Sequence, residues 1–178
     1  MVDINTLGPF GTDSESAAIT WLREQNIEGR IVLWSNFKDM LENKAQLKGD
    51  FIVFPAGYID PIDKMTWVDF HFENLYSLEL IDSFSLYTKP MVLLENHYPV
   101  IDAIALQPAT ESILKNFQEV VDPDIDILYF DSKPLAYKAF AEKGIRYCIC
   151  STPNQMCIGA DVLRSFQPSM VWCVYEVQ

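Results

Sequence analysis

An α/β fold in two lobes around one ligand cleft is expected for this chain, on three grounds. Short apolar runs alternate with amphipathic stretches, a pattern that builds sheets covered by helices. Two sets of such units stand on either side of a strand-like crossover, Ser77 to Leu94, which Lys89-Pro90 interrupts to give two strands or one bent strand. The 178 residues, 49% of them hydrophobic and 21% charged, are enough to bury a core without disulfides or metals.

The first set opens with a strand at Asp3–Leu7 and a helix at 13–26, followed by a strand at 30–34, a short helix at 37–44 and a strand at 50–54. Pro55, Gly57 and Pro61 then break the chain into a loop. The second set reads as a strand at 101–106, a helix at 108–120 with proline in its first turn, a strand at 125–130, a helix at 133–143 stopped by Gly144, and a strand at 145–150. A last strand at 170–177 is placed to return to the first set. The expected lobes are therefore about 1–88 with 160–178, and about 89–159. Ligands of open α/β sheets bind beyond the carboxyl ends of strands, which points to the loops after Leu7, Phe54, Leu106, Phe130 and Cys150.

A formal charge of -12, with 13 basic residues scattered and no dense basic run, argues against nucleic acid and anionic membrane as partners. An anionic ligand would have to be held by local positive potential, from backbone amides, a helix N-terminus or a few basic side chains. No basic segment followed by a long apolar run opens the chain, so a cytoplasmic protein is expected, and no apolar stretch approaches the roughly 20 residues of a membrane helix. Cys148, Cys150, Cys157 and Cys173 lack paired zinc-ribbon spacing and read as buried free thiols. No metal and no organic cofactor is expected.

The segment richest in chemistry is Thr6-Leu7-Gly8-Pro9-Phe10-Gly11-Thr12-Asp13-Ser14-Glu15-Ser16-Ala17-Ala18, which follows a strand and opens a helix. Gly8 and Gly11 permit close approach of the backbone, and Thr12, Asp13 or Ser14 can cap the helix, so amides and hydroxyls gather where an anion would sit. A tight turn with a capping residue satisfies the same pattern.

This stretch resembles the opening motif of prephenate dehydratases, Gly-Pro-x-Gly-Thr-x-Ser ahead of Ala-Ala. Further along, Leu80 to Leu93, with Asp82-Ser83-Phe84 and Thr88-Lys89-Pro90-Met91, is similar to the crossover of the bacilysin-pathway prephenate decarboxylase. Ile104-Ala105-Leu106-Gln107-Pro108-Ala109-Thr110 resembles the family's His-Pro segment with Gln107 at the histidine's place. Asp131-Ser132 stands where the family has an Asp-Ser-Thr or Asn-Ser-Thr turn, with Lys133 replacing the threonine, and Ser151-Thr152 matches a later polar pair. The resemblance implies the type 2 periplasmic-binding-protein fold, a small anionic carboxylate as ligand, and a homodimer. It also implies ligand contacts at Gly8, Gly11, Thr12, Ser14, Gln107, Thr110, Ser132, Lys133, Ser151 and Thr152.

Departures bear on the activity. The dehydratases' Pro-x-Glu-Asn-Ser segment is replaced by Phe54-Pro55-Ala56-Gly57-Tyr58, and no Thr-Arg-Phe motif occurs. No regulatory domain is expected after Gln178. These absences favour decarboxylation or simple binding over dehydration, with a catalytically silent carboxylate-binding module as the alternative. In a decarboxylation, electrostatic preorganisation holds the carboxylates while a ring carbon takes a proton, and the sequence does not name the donor. His71 and His97 read first as surface or hydrogen-bonded structural residues. Lys133 suits either a ligand carboxylate or solvent. Ser14 and Ser151 lack a Gly-x-Ser-x-Gly elbow, which argues against serine-hydrolase chemistry. Trp21, Trp34, Trp67 and Trp172 read as core or lobe contacts.

Overall fold

The computed structural model describes residues 2–178, which form ten strands and four α-helices in two five-stranded sheets. The α/β expectation holds. Two compact units divide the chain: the first gathers residues up to Tyr58 with Met65–Tyr87 and Ser169–Gln178, the second Ile59–Lys64 and Thr88–Pro168.

In the first unit, β1 (Val2–Leu7) leads into α1 (Asp13–Glu24), β2 (Gly29–Trp34), α2 (Phe37–Glu42), β3 (Phe51–Pro55), α3 (Trp67–Glu73) and β4 (Leu78–Tyr87). Its last strand, β10 (Ser169–Val177), inserts between β3 and β4 and gives the order β2-β1-β3-β10-β4. Strands β1, β2 and β3 run parallel, while β10 is antiparallel to both neighbours. Alternation sorts the side chains to two faces. Ile52, Phe54, Cys173 and Tyr175 join Phe37, Met40 and Phe70, whereas Ile4, Val53, Trp172 and Val174 join Ala17, Ala18 and Trp21 of α1.

In the second unit, β5 (Met91–Asn96), β6 (Ile101–Leu106), β7 (Asp126–Tyr129), α4 (Lys133–Lys143), β8 (Ile145–Ser151) and β9 (Ala160–Phe166) build a sheet of order β7-β6-β8-β5-β9. Strands β6, β7 and β8 are parallel, and β5 is antiparallel to β8 and β9. Helix α4 lays Ala136, Ala139 and Phe140 on the face that carries Val92, Leu94, Ala105 and Cys148. Gly144 ends α4 in the left-handed conformation at φ 67°, and a β-carbon there would meet Val100 at 2.9 Å.

Of the two readings of the break at Lys89-Pro90, the two-strand one holds: it separates β4 and β5, which lie in different sheets. Two expectations are corrected and one unassigned segment is filled. Residues 160–166, expected with the first lobe, pair with β5, so the boundary moves to Ser169. Residues 67–73 form α3, begun by a capping box between Thr66 and Asp69. The helix expected at 108–120 is a 3-10 turn over Pro108–Asn116. Its start is pulled tight because Thr110 donates both its amide and its hydroxyl to the Gln107 carbonyl, at 2.8 and 2.7 Å, closing i→i+3 rings.

Among the described residues, no helix is long and apolar enough to cross a membrane. Nor does any group of three or more His, Cys, Asp and Glu gather to hold a metal ion among them. The four cysteines are free thiols, three of them buried.

Candidate functional site

Gly8, Gly11, Thr12 and Ser14 come together at the carboxyl edge of β1 in the first unit, where α1 begins. Gly8 approaches a neighbouring strand closely: its N–H donates to the Trp34 carbonyl at 2.8 Å, and a β-carbon there would lie 3.3 Å from Leu33. This glycine is fixed by β2. Gly11 has φ +82° with open space where a β-carbon would be, so the left-handed backbone itself calls for glycine. Thr12 is the N-cap, accepting from the Glu15 amide at 3.3 Å while its hydroxyl donates to the Leu7 carbonyl at 3.1 Å. Phe10, 85% exposed, stands at the tip of the loop.

The first amides of α1 have no i−4 partner inside the helix, and the helix dipole adds positive potential there. A carboxylate already exploits this. Glu15 reaches back so that its Oε2 accepts from the Gly11 N–H at 2.6 Å. An internal carboxylate therefore occupies one of the loop's donors. Ser14 lies on the inner face of α1, 7% exposed.

The other six candidates lie in the second unit, at the carboxyl edge of its parallel strands. Gln107, one residue past β6, caps the 3-10 turn, accepting from the Ala109 amide at 2.8 Å and donating from Nε2 to the Ile59 carbonyl at 3.3 Å. Thr110 is buried, with its hydroxyl on the Gln107 carbonyl. Ser132 is the N-cap of α4, accepting from the Leu135 amide at 3.4 Å, and Lys133 follows it with its Nζ 3.8 Å from the Met91 sulfur. Ser151 is in register with Met91, and Thr152 sends both amide and hydroxyl to the Pro90 carbonyl, at 2.8 and 3.1 Å. Lys133, Ser151 and Thr152 thus converge on the start of β5. Gln107 and Thr110 form a separate group held by each other. Most of these polar atoms stabilise their own turns, which the sequence did not reveal.

Elsewhere the histidines have structural partners. His71 sits in α3, stacked on Trp67, with Nδ1 3.1 Å from the Tyr175 hydroxyl, and that hydroxyl also accepts from Trp67 Nε1 at 2.8 Å. Burial pushes the Tyr175 phenol up to about 12, against the lowering effect of the Trp67 donor. His97 pairs with exposed Asp161 at 2.9 Å, a partner acid supplied by the unexpected strand β9. A cavity of about 260 Å³ in the second unit is lined by Glu111, Lys115, Gln118, Val121, Asp122 and Ile127 among others, and includes none of the ten candidates.

No family model matches the chain, and no curated protein does. Solved structures do. A prephenate dehydratase from Arthrobacter aurescens in complex with L-Phe superposes with a TM-score of 0.66 at 15% identity, over 99% of this chain and 61% of that one. The fold is the one shared by prephenate dehydratases and periplasmic-binding-type domains. The prephenate dehydratase of Staphylococcus aureus subsp. aureus Mu50 gives a TM-score of 0.60 at 16% identity, covering 99% and 67% of the two chains. The periplasmic VFT2 domain of Bordetella pertussis BvgS gives 0.58 at 12% identity, covering 99% and 80%. The chain spans about three fifths of the length of the first of these dehydratases. At such identities the likeness establishes architecture, and the chemistry has to be argued from the residues.

Proposed function

We propose that this chain binds a small cyclic or aromatic carboxylate at the N-terminus of α1 and acts on it as a prephenate decarboxylase-like lyase. The observation that carries the reading is the Gly11–Ser14 turn: it has the dehydratase-like motif, sits at the carboxyl edge of a parallel strand, and already holds a carboxylate, that of Glu15. Gly11 and Thr12 present the anion-binding end, and Ser14 adds a hydroxyl beneath it. Gly8 supports the turn from behind. In the second unit, taken by itself, Lys133, Ser132, Ser151 and Thr152 are proposed as further carboxylate contacts, with Gln107 and Thr110 as a separate pair.

Decarboxylation asks for fixed donors on the retained carboxylate and an apolar setting for the departing one. The bond from the ring carbon to the carboxyl breaks, carbon dioxide leaves, and the electron pair is taken up by a proton at a ring carbon. Donors and dipoles fixed in advance around the developing charge supply much of the rate enhancement in many enzymes. The absent Glu-Asn-Ser and Thr-Arg-Phe segments support this outcome over loss of the hydroxyl. Incubation of purified protein with prephenate, followed by mass spectrometry of ring products and released carbon dioxide, is expected to show decarboxylated product. Unchanged prephenate at high protein concentration overturns the lyase reading.

A catalytically silent binding module is favoured by one specific observation. The hydroxyls of Thr12, Thr110 and Thr152 are all spent on backbone carbonyls. Thermal stabilisation by prephenate or phenylpyruvate without turnover is the result expected of that module. The same proposal places the protein in the cytoplasm as a homodimer, which sedimentation velocity tests.

A further inference from the structure

The chain has four tryptophans, and three of them give their indole N–H a partner. Trp21 donates to Asp82 at 2.8 Å, Trp34 to Asn5 at 2.8 Å and Trp67 to Tyr175 at 2.8 Å. Trp172 does not. It is 3% exposed, and its Nε1 is a buried donor with no hydrogen-bond partner among the described residues. An unpaired buried donor costs about 1–3 kcal/mol, and a side chain that keeps one calls for a reason.

Its position supplies one. Trp172 is in register with Pro55, the last residue of β3, and the neighbouring Ala56 amide donates to the Val171 carbonyl at 2.9 Å. Following the β1–β3 register of Ile4 with Phe51 and Asn5 with Ile52 onward brings Gly8 level with Pro55. Trp172 therefore lies at the sheet edge where the Gly8–Ser14 turn leaves β1. Its ring faces α1, in the same buried cluster as Ala17 and Ala18, whose small side chains leave room for it. Ser14 stands one turn before Ala17 and Ala18 on that helix face, 7% exposed. The unpaired Trp172 donor thus lies under the first turns of a helix whose N-terminus attracts anions.

We infer that the Trp172 indole N–H is a ligand donor, which reads an acceptor oxygen of a small carboxylate whose charged end is held by the α1 amides. This rests on the proposed binding site and adds a specificity residue to it. The donor is uncharged and buried, so it favours a keto or carboxylate oxygen carried on an apolar body over a hydrated inorganic anion. Removing it is expected to weaken binding without loosening the fold, since no internal hydrogen bond is lost.

The test is replacement of Trp172 by 3-benzothienylalanine, which keeps the bicyclic shape and substitutes sulfur for N–H. With prephenate and phenylpyruvate as probes in isothermal titration, affinity is expected to fall about five- to hundredfold while the melting temperature of the unliganded protein stays the same or rises. In parallel, the four indole resonances of 15N-tryptophan-labelled wild type are followed through the same titrations, with Trp172 shifting most. Wild-type binding with equal affinity in the substituted protein and a stationary Trp172 resonance overturns the donor role and leaves the site standing. A fall in unliganded stability with unchanged affinity overturns it too, by assigning the N–H a structural partner. No binding of either probe by wild type overturns the site reading and the donor role together.

Discussion

Glu15 is the residue on which the ligand reading is most exposed to test. Its carboxylate already sits on the Gly11 amide, so an incoming carboxylate has to displace it or share the same potential. Glu15→Gln keeps the acceptor oxygen and removes the competing charge. Carboxylate affinity is expected to rise severalfold in titration calorimetry, with a stability loss of about 0.3–1 kcal/mol from the weakened helix-dipole interaction. A drop in affinity instead assigns Glu15 to shaping the loop for its ligand. Tyr175 gives a second prediction. Its phenol is held neutral, with its pKa raised from 10.0 to about 12, so the folded state binds that proton more tightly than the unfolded chain. The stabilisation is complete below pH 10 and is lost as pH rises through 10 to 12. Chemical denaturation across pH 8–12 is expected to show this decline, and Tyr175→Phe to flatten it. At neutral pH that variant costs about 1–3 kcal/mol by leaving Trp67 Nε1 unpaired.

Among the elements, α1 carries both fold and site. Thr12→Ala removes the side-chain acceptor of the Glu15 amide and the hydroxyl donor to Leu7, and is expected to lower stability by about 1 kcal/mol. Because the same residue begins the proposed anion site, carboxylate affinity should fall with it. Thr12→Ser, which retains both bonds, should restore the two together. Elements with strong signals were legible in the sequence: Gly144 announced the end of α4, and apolar runs marked β1, β3, β6 and β8. Strand β9 was missed because it is an edge strand whose Ala160–Phe166 side chains are half-buried or exposed, leaving no clear alternation. Helix α3 was missed because Trp67-Val-Asp-Phe-His-Phe-Glu is rich in aromatics, yet its Thr66-x-x-Asp69 capping box was readable. At the site, the motif identified the turn. Long-range partners did not show: Gly8 to Trp34, Gln107 to Ile59 and Thr152 to Pro90 are set by strand pairing and loop return, which spacing does not encode. Trp172 reads in the sequence as a core or lobe contact, since an absent partner leaves no trace there.

For the molecule as a whole, a net charge of -12 means that an anionic ligand approaches against the long-range field. Adding salt shortens the Debye length from about 30 Å at 10 mM to about 8 Å at 150 mM. Association of prephenate in stopped-flow fluorescence is therefore expected to accelerate over that range, whereas a rate that falls with salt would indicate a locally basic entrance dominating the encounter. The path of the chain has a different consequence, for biosynthesis. Because β10 fills the position between β3 and β4, the earlier-made sheet cannot be completed until residue 177 has left the ribosome, while every strand of the later-made sheet is available once residue 166 is out. The later-made sheet can thus close first, and β3 and β4 keep an unfilled slot between them until β10 follows.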